Sequence, residues 1–233
     1  MEKKHLELTC ALVLCLILII AVFLKIGSTF QSGEIMYDGE YYWTPVEVHL
    51  FKDGHCSLQH YWHDKNWEIE NNYLVGQDFS GKSNAYFTRN RLHRLRRNWL
   101  IETQIRIVRE NTEIQILNRD SSRLKREGGV VIRNLGKAIS LFCSGDIDFK
   151  LEADYDFEKD RWYTIWLQKY QGHWKLHIDG VLIMETTADR GPGRFSEPHF
   201  AVFNKGEAHF RYYKYYKPAN TRIIKKRIGS IGT

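Results

Sequence analysis

Cysteine is scarce in this chain, with 4 in 233 residues, and Cys10 and Cys15 both sit inside an apolar run near the N-terminus. That leaves Cys56 and Cys143 for any domain that follows, which excludes a disulfide-dense scaffold. The pair could form one disulfide in an exported domain or stand as two buried thiols, and their spacing does not choose between these. With 17 glycines and 4 prolines the chain is neither collagenous nor compositionally disordered. Asn-x-Ser/Thr acceptors are absent, which counts against a heavily glycosylated animal surface protein. There is no internal repeat and no low-complexity tract. No Ser-His-Asp order, phosphate loop or dinucleotide fingerprint stands in a strand–helix context. Cys56, His60, His63 and Asp64 have spacings a metal could use, but a zinc site needs a second paired cluster and none follows, so they read as loop residues.

Long apolar runs are also missing, with one exception. Leu8 to Leu24 (LTCALVLCLILIIAVFL) is unbroken, preceded by Lys3 and Lys4 and followed by Lys25. It approaches the ~20 residues that cross a bilayer and exceeds the ~7–15 of a signal-peptide core. No A-x-A-like cleavage site follows it, and its cysteines come too early for a lipoprotein signature. The expectation is an uncleaved transmembrane helix with a cytoplasmic N-terminus and the rest of the chain on the periplasmic or extracellular side. The alternative is a signal peptide cut between Gly27 and Gly33. The organisation expected is an anchor at 1–26, a short linker at 27–36, a domain at 37–218 and a basic tail at 219–233. The linker is too short to hold the domain far from the membrane.

The net charge is +6, with basic residues gathered at Arg89–Arg97, Arg119–Arg126 and Arg222–Arg227. No nucleic-acid module accompanies them, so nucleic acid is not an expected partner. They read as solvated loops and ends, or as contacts to anionic headgroups or acidic glycans near a membrane.

What the chain has in abundance is alternation. In Arg161 to Thr186, Tyr163, Ile165 and Leu167 alternate with Trp162, Thr164, Trp166 and Gln168; beyond Gln171-Gly172, Leu176 and Ile178 alternate with Lys175 and His177. Period-2 patterning sends one set into a core and the other outward. Asp179-Gly180 supplies the next tight turn. Shorter runs of the same kind recur at Val46–Phe51, Trp67–Val75, Leu100–Val108, Thr112–Leu117, Gly129–Arg133, Ala138–Cys143, Phe149–Ala153, His199–Asn204 and His209–Tyr216. Many short strands without a long helix predict an all-β, antiparallel two-sheet jelly-roll sandwich behind one N-terminal transmembrane helix.

The string W-Y-x-I-x-L, followed by W-x-L-x-I-D-G-x-L-I, resembles the central hairpin of the concanavalin A-like lectin/glucanase superfamily, which includes laminin-G-like domains. Trp67–Leu74, Trp99–Val108, Glu127–Arg133 and Gly191–Tyr213 resemble its other strands in order, so the resemblance covers roughly Tyr37 to Pro218. Glu113-Ile-Gln115-Ile-Leu117 resembles the E-x-Q-I-L strand of the 3-keto-disaccharide hydrolase-like group. The resemblance implies the jelly roll. It leaves function open among lectins, glycosidases and adhesive modules. It also carries the one cofactor expectation, calcium at Asp146 and Asp148 by analogy with lectins, with an incomplete ligand set.

Glycosidic cleavage needs two carboxylates ~5–10 Å apart. Laminarinase-type members of the superfamily carry E-x-D-x-(x)-E on one strand; the closest string here, Asp154, Asp156 and Glu158, begins with the wrong acid and precedes a strand, so it reads as a solvated edge. Glu102, Gln104 and Arg106 oppose Ile101, Ile105 and Ile107. Glu113 and Gln115 oppose Ile114 and Ile116, Arg133 opposes Ile132, and Trp166 and Gln168 oppose Ile165 and Leu167. If these polar faces share one sheet, they form a sugar-binding surface, with hydrogen-bonding groups around an aromatic; otherwise they are an ordinary solvent-facing sheet. Three functions remain in view: a membrane-anchored, non-catalytic carbohydrate- or ligand-binding module, a glycoside-cleaving enzyme acting through Glu113 with help from Arg133, and an accessory subunit of a membrane protein complex.

Overall fold

The computed structural model describes residues 36–52, 61–63, 66–79, 85–89, 98–120, 127–143, 149–188 and 196–219, the side chains of 61–63, 85–89, 118–120, 127 and 196–198 excepted. The apolar run, most of the linker, the basic tail, Cys56, Asp146, Asp148 and most of the three basic clusters lie outside those residues. Among the described residues no helix is long and apolar enough to cross a membrane.

Among the described residues sixteen strands follow one another: β1 Met36–Tyr37, β2 Tyr42–Leu50, β3 Tyr61–His63, β4 Trp67–Glu70, β5 Tyr73–Gln77, β6 Ala85–Arg89, β7 Trp99–Ile107, β8 Glu113–Asp120, β9 Glu127–Arg133, β10 Ala138–Cys143, β11 Phe149–Asp154, β12 Trp162–Tyr170, β13 His173–Ile178, β14 Val181–Thr187, β15 Ser196–Phe203 and β16 Glu207–Pro218. They build two antiparallel sheets. One runs β1-β2-β16-β7-β12-β13-β14, with β5 also on β16 and β4 on β5; the other runs β11-β10-β9-β8-β15-β6-β3. Chain neighbours often lie in different sheets, β7 in one and β8 in the other.

Local chemistry explains the hairpins. Asn71-Asn72, Gln171-Gly172 and Asp179-Gly180 are two-residue turns in which both residues have positive φ, the conformation that matches strand twist; Asn204-Lys205 has the same backbone but carries the chain from one sheet to the other. Gly180 takes φ +81° freely, and the Asp179 carboxylate accepts the Thr164 backbone N–H at 2.8 Å, closing the turn from both sides. The Asp-Gly turn expected from the residues is therefore present, held by its own side chain.

The core lies between the sheets. Ile101, Ile105 and Ile107 of β7, Tyr163, Ile165 and Leu167 of β12 and Leu176 and Ile178 of β13 face Ile114, Ile116, Val130, Ile132, Ile139 and Leu141 from the other sheet. All are buried, so the expected phase holds on β7, β8, β9, β12 and β13. Trp174 belongs to this core, edge-on to Trp99 and Phe149 at 5.5 Å each, a favourable aromatic geometry. It fits because Gly128 lacks a side chain: a Cβ there would meet Trp174 Cη2 at 2.6 Å.

Two strands are not visible in the pattern. Tyr61–His63 falls in the stretch read as a loop, and Ala85–Arg89 runs into the basic cluster that starts at Arg89. Both are short; Tyr61–His63 is the edge strand of its sheet and Ala85–Arg89 stands next to it, where pairing to a neighbour rather than an apolar repeat specifies a strand. Asp154, Asp156 and Glu158 are exposed, and Lys137 and Arg161 pair with Asp156 and Glu158 at 2.7 and 2.8 Å.

The phase of β12 is testable. Ile165→Asp buries an unpaired carboxylate, which costs several kcal/mol against a total stability of ~5–15 kcal/mol, and should abolish the cooperative melt. Lys175→Gln removes only the ion pair to Glu40 and should move the melting temperature little.

Candidate functional site

The eight polar residues expected to share one surface occupy two. Glu102, Gln104 and Arg106 on β7, with Trp166 and Gln168 on β12, lie on the outer face of the nine-stranded sheet. Glu113 and Gln115 on β8, with Arg133 on β9, lie on the outer face of the other sheet, on the far side of the core. Alternation along a strand decides inside from outside but does not say to which sheet a strand belongs. The proposed single surface is therefore corrected to two.

On the seven-stranded sheet the residues form a ladder across β8, β9, β10 and β11. Gln115 Nε2 donates to Glu113 at 3.1 Å, and Arg133 donates to Glu113 at 3.2 Å and to Ser140 Oγ at 3.1 Å; Ser140 donates to Glu152 at 3.1 Å. Glu113 and Arg133 also line a pocket of about 250 Å3 with Asn111, Thr112, Asn134, Leu135, Gly136 and Asn204. The sequence-based pairing of Glu113 with Arg133 is thus realised in space.

The nine-stranded face is richer. It curls: Trp43 on β2 meets Tyr170 on β12 edge-on at 5.9 Å, although the two strands stand three places apart, ~14 Å on a flat sheet. The Tyr41 ring lies tilted against Tyr170 at 3.9 Å, and Glu40 pairs with Lys175. The segment before β2 therefore closes one end of a concave face. Gln168, flanked in register by Leu100 and Lys175 at that end, is 2% exposed. It is structural and not the solvent-facing ligand contact expected of it.

Glu102 is also buried, at 7% exposure, because β16 closes over it. Its carboxylate accepts Tyr212 Oη at 2.7 Å, Lys214 Nζ at 2.9 Å and Tyr216 Oη at 2.7 Å. Burial, and then the bond to Glu102, holds both phenols well above their usual range, so they remain donors. A bulge makes this possible. Between the Phe210–Ile105 and Tyr213–Thr103 pairs, Arg211 and Tyr212 stand against Gln104 alone. Both then turn to the concave face, Arg211 onto Gln104 Oε1 at 3.1 Å and Tyr212 onto Glu102.

At the open end, Tyr73 and Trp162 lie 5.0 Å apart, and Arg106 and Arg211 each lie over both rings. Burial, helped by the Arg106 charge, holds His209 below the ordinary imidazole value despite the pull of Glu207. The neutral ring accepts from Arg106 at 2.7 Å through Nδ1 and donates to Glu207 at 3.2 Å through Nε2. Between the two ends, Trp166 pairs across the strands with His177, ring centres 6.0 Å apart. Trp166 Nε1 and His177 Nδ1 are buried without a hydrogen-bond partner among the described residues. Trp162 was legible, since it shares the outward phase of Trp166. Arg211, Tyr212 and Lys214 were not, because the bulge interrupts the alternation that would have placed them. Among the described residues no group of His, Cys, Asp and Glu could hold a metal ion.

Two antiparallel sheets closed over one core, the larger with a concave polar and aromatic outer face, define a jelly-roll sandwich. It is the concanavalin A-like lectin/glucanase fold. The endo-β-1,3-glucanase of Pyrococcus furiosus superposes with a TM-score of 0.62 at 12% identity, over 80% of this chain and 99% of its own. The laminarinase catalytic domain of Thermotoga maritima gives 0.59 at 12% identity, over 76% and 99%. Carbohydrate-binding module CBM66 of Bacillus subtilis gives 0.50 at 11%, over 65% and 92%. No protein-family model matches the sequence, and no curated protein matches it.

The Glu102 cluster should be a structural hub. Glu102→Gln removes the charge opposite Lys214 and turns an amide N–H toward three donors. Urea unfolding should show a loss of about 1–3 kcal/mol, with the sheet content of the folded state unchanged.

Proposed function

We propose that this chain is a membrane-tethered glycan-binding module, displayed outside the cytoplasm, whose ligand lies in the concave face of the nine-stranded sheet. The observation that carries the reading is the composition of that face. Tyr73, Trp162 and Trp166 share it with hydrogen-bonding groups from Gln104, Thr164, His177, His209 and Arg211, none of them consumed by the core. Sugars are held by such mixtures, with aromatics against the apolar ring face and planar donors and acceptors for hydroxyls. Leaving Trp166 Nε1 and His177 Nδ1 without partners costs on the order of 1–3 kcal/mol each, which a polar guest that shifts the two rings would relieve. Binding without cleavage is favoured because Glu102, central to the face, is already committed to three donors. The named activities of the structural neighbours, glucan hydrolysis and carbohydrate binding, agree with a glycan as ligand.

A second reading rests on the pocket at Glu113 and Arg133, which would suit a glycoside-cleaving site on the opposite sheet. One set of variants separates the two. Trp162→Ala and Trp166→Ala should each weaken binding of a β-1,3-glucan by about 1–3 kcal/mol while Gln115→Ala has no effect. Loss of binding or turnover in Gln115→Ala and Glu113→Gln, with the tryptophan variants unaffected, would move the site to the pocket.

Tethering rests on Leu8–Leu24 and the Lys3/Lys4 flank, and proximity to the membrane on the short linker. Mass spectrometry of the mature protein should find its N-terminus at Met1 or residue 2. A start between Gly27 and Ile35 would show a cleaved signal peptide instead.

A further inference from the structure

We propose that the open end of the concave face selects an acidic sugar, a uronate whose carboxylate is taken by Arg106 and Arg211 together. The inference rests on the glycan-binding reading and names the class of glycan.

Five arginines have described side chains: Arg106, Arg109, Arg133, Arg161 and Arg211. Three of them meet a carboxylate, Arg109 at Glu207, Arg133 at Glu113 and Arg161 at Glu158, with separations of 3.2, 3.2 and 2.8 Å. Arg106 and Arg211 meet none among the described residues, and they are the two that share the same pair of aromatic rings. Their guanidinium carbons lie 5.2 and 4.4 Å from the same Trp162 ring centre and 5.5 and 5.9 Å from the same Tyr73 centre. Their separation is thus bounded by two short distances and comparable with the ~8–10 Å screening length of physiological salt, so the charges repel. No acid among the described residues pairs with either arginine; Glu70, whose charge reaches His209, accepts from Asn71. Glu102 is held by Lys214 and two phenols, and Glu207 by Arg109 and His209. The groups that do touch the two arginines are neutral: His209 Nδ1 for Arg106 and Gln104 Oε1 for Arg211. Arg106 Nε has no partner at all among the described residues.

Two unneutralised guanidiniums, held over aromatic rings and braced by neutral acceptors, form a preorganised anion site. A guanidinium is planar and presents its donors as a fork, which matches the two in-plane oxygens of a carboxylate. Arg211 is exposed and Arg106 half-buried, so an incoming anion meets one at the rim and the other at the floor. The rings restrict both side chains, which lowers the ordering cost on binding. The Trp166 ring, four residues along β12 on the same face, extends the contact to the neighbouring sugar unit.

Calorimetric titration of the full chain in detergent with polygalacturonate, its methyl ester, dextran sulfate and a neutral β-1,3-glucan tests this. Polygalacturonate should bind at least ten-fold more tightly than its methyl ester, and the advantage should shrink as sodium chloride is raised from about 50 to about 500 mM. Arg211→Gln, at an exposed position that does not threaten folding, should remove most of the ten-fold preference. Arg106→Gln with Arg211→Gln should erase it, leaving ester and acid equal. Four results would overturn the proposal. If acid and ester bind equally while Trp162→Ala weakens both, the glycan face stands and the acidic assignment falls. If dextran sulfate binds and polygalacturonate does not, the carboxylate assignment falls. A preference that survives the double variant places anion binding elsewhere on this basic chain. Failure of all four polymers to bind removes the glycan reading itself.

Discussion

Everything in this molecule depends on the packing of Trp174 into the space that Gly128 leaves open. The indole comes from one sheet and the glycine from the other, and Trp99 and Phe149 close around the ring edge-on. A side chain on residue 128 would meet the indole at 2.6 Å and force a shift where the ring packs beside the aliphatic rows of β7, β12 and β13 that face β8, β9 and β10. Once those rows are buried, period-2 geometry leaves the alternate residues no choice but to face outward. The concave face follows from what the core took.

The two outer faces then diverge for reasons that lie in the connections. On the seven-stranded sheet the outward residues satisfy one another in a ladder from Gln115 to Glu152. On the nine-stranded sheet, curvature and the bulge at Arg211 and Tyr212 break the ladder into a buried carboxylate hub and an uncompensated basic end. Moving one residue in the register of β16 exchanges which side chains reach the face. The character of the site is set there.

Much of the fold was legible. Ala138–Cys143 is the strand expected, and the hairpin turns at Gln171-Gly172 and Asp179-Gly180 have the backbone their residues favour. The outward placement of Glu102, Gln104, Arg106, Glu113, Gln115, Arg133 and Trp166 was legible too. What each outward residue does was not. Glu102 and Gln168 point away from the core and are still buried, one under β16 and the other at the end closed by Tyr41 and Trp43. These are contacts between residues more than a hundred positions apart, and no local pattern encodes them.

By itself the sequence determined the class: alternating apolar residues and Asn/Asp/Gly turns make antiparallel strands, and such strands must bury one face. Local sterics and hydrophobic periodicity are properties of neighbours along the chain. Only the tertiary structure decided that β7 and β8 belong to different sheets, that Glu113 and Arg133 share a pocket on one side, and that Arg106 and Arg211 share two aromatic rings on the other. Sheet membership and strand register are set by packing the whole chain around one core, so residues far apart in sequence become neighbours only when that core closes.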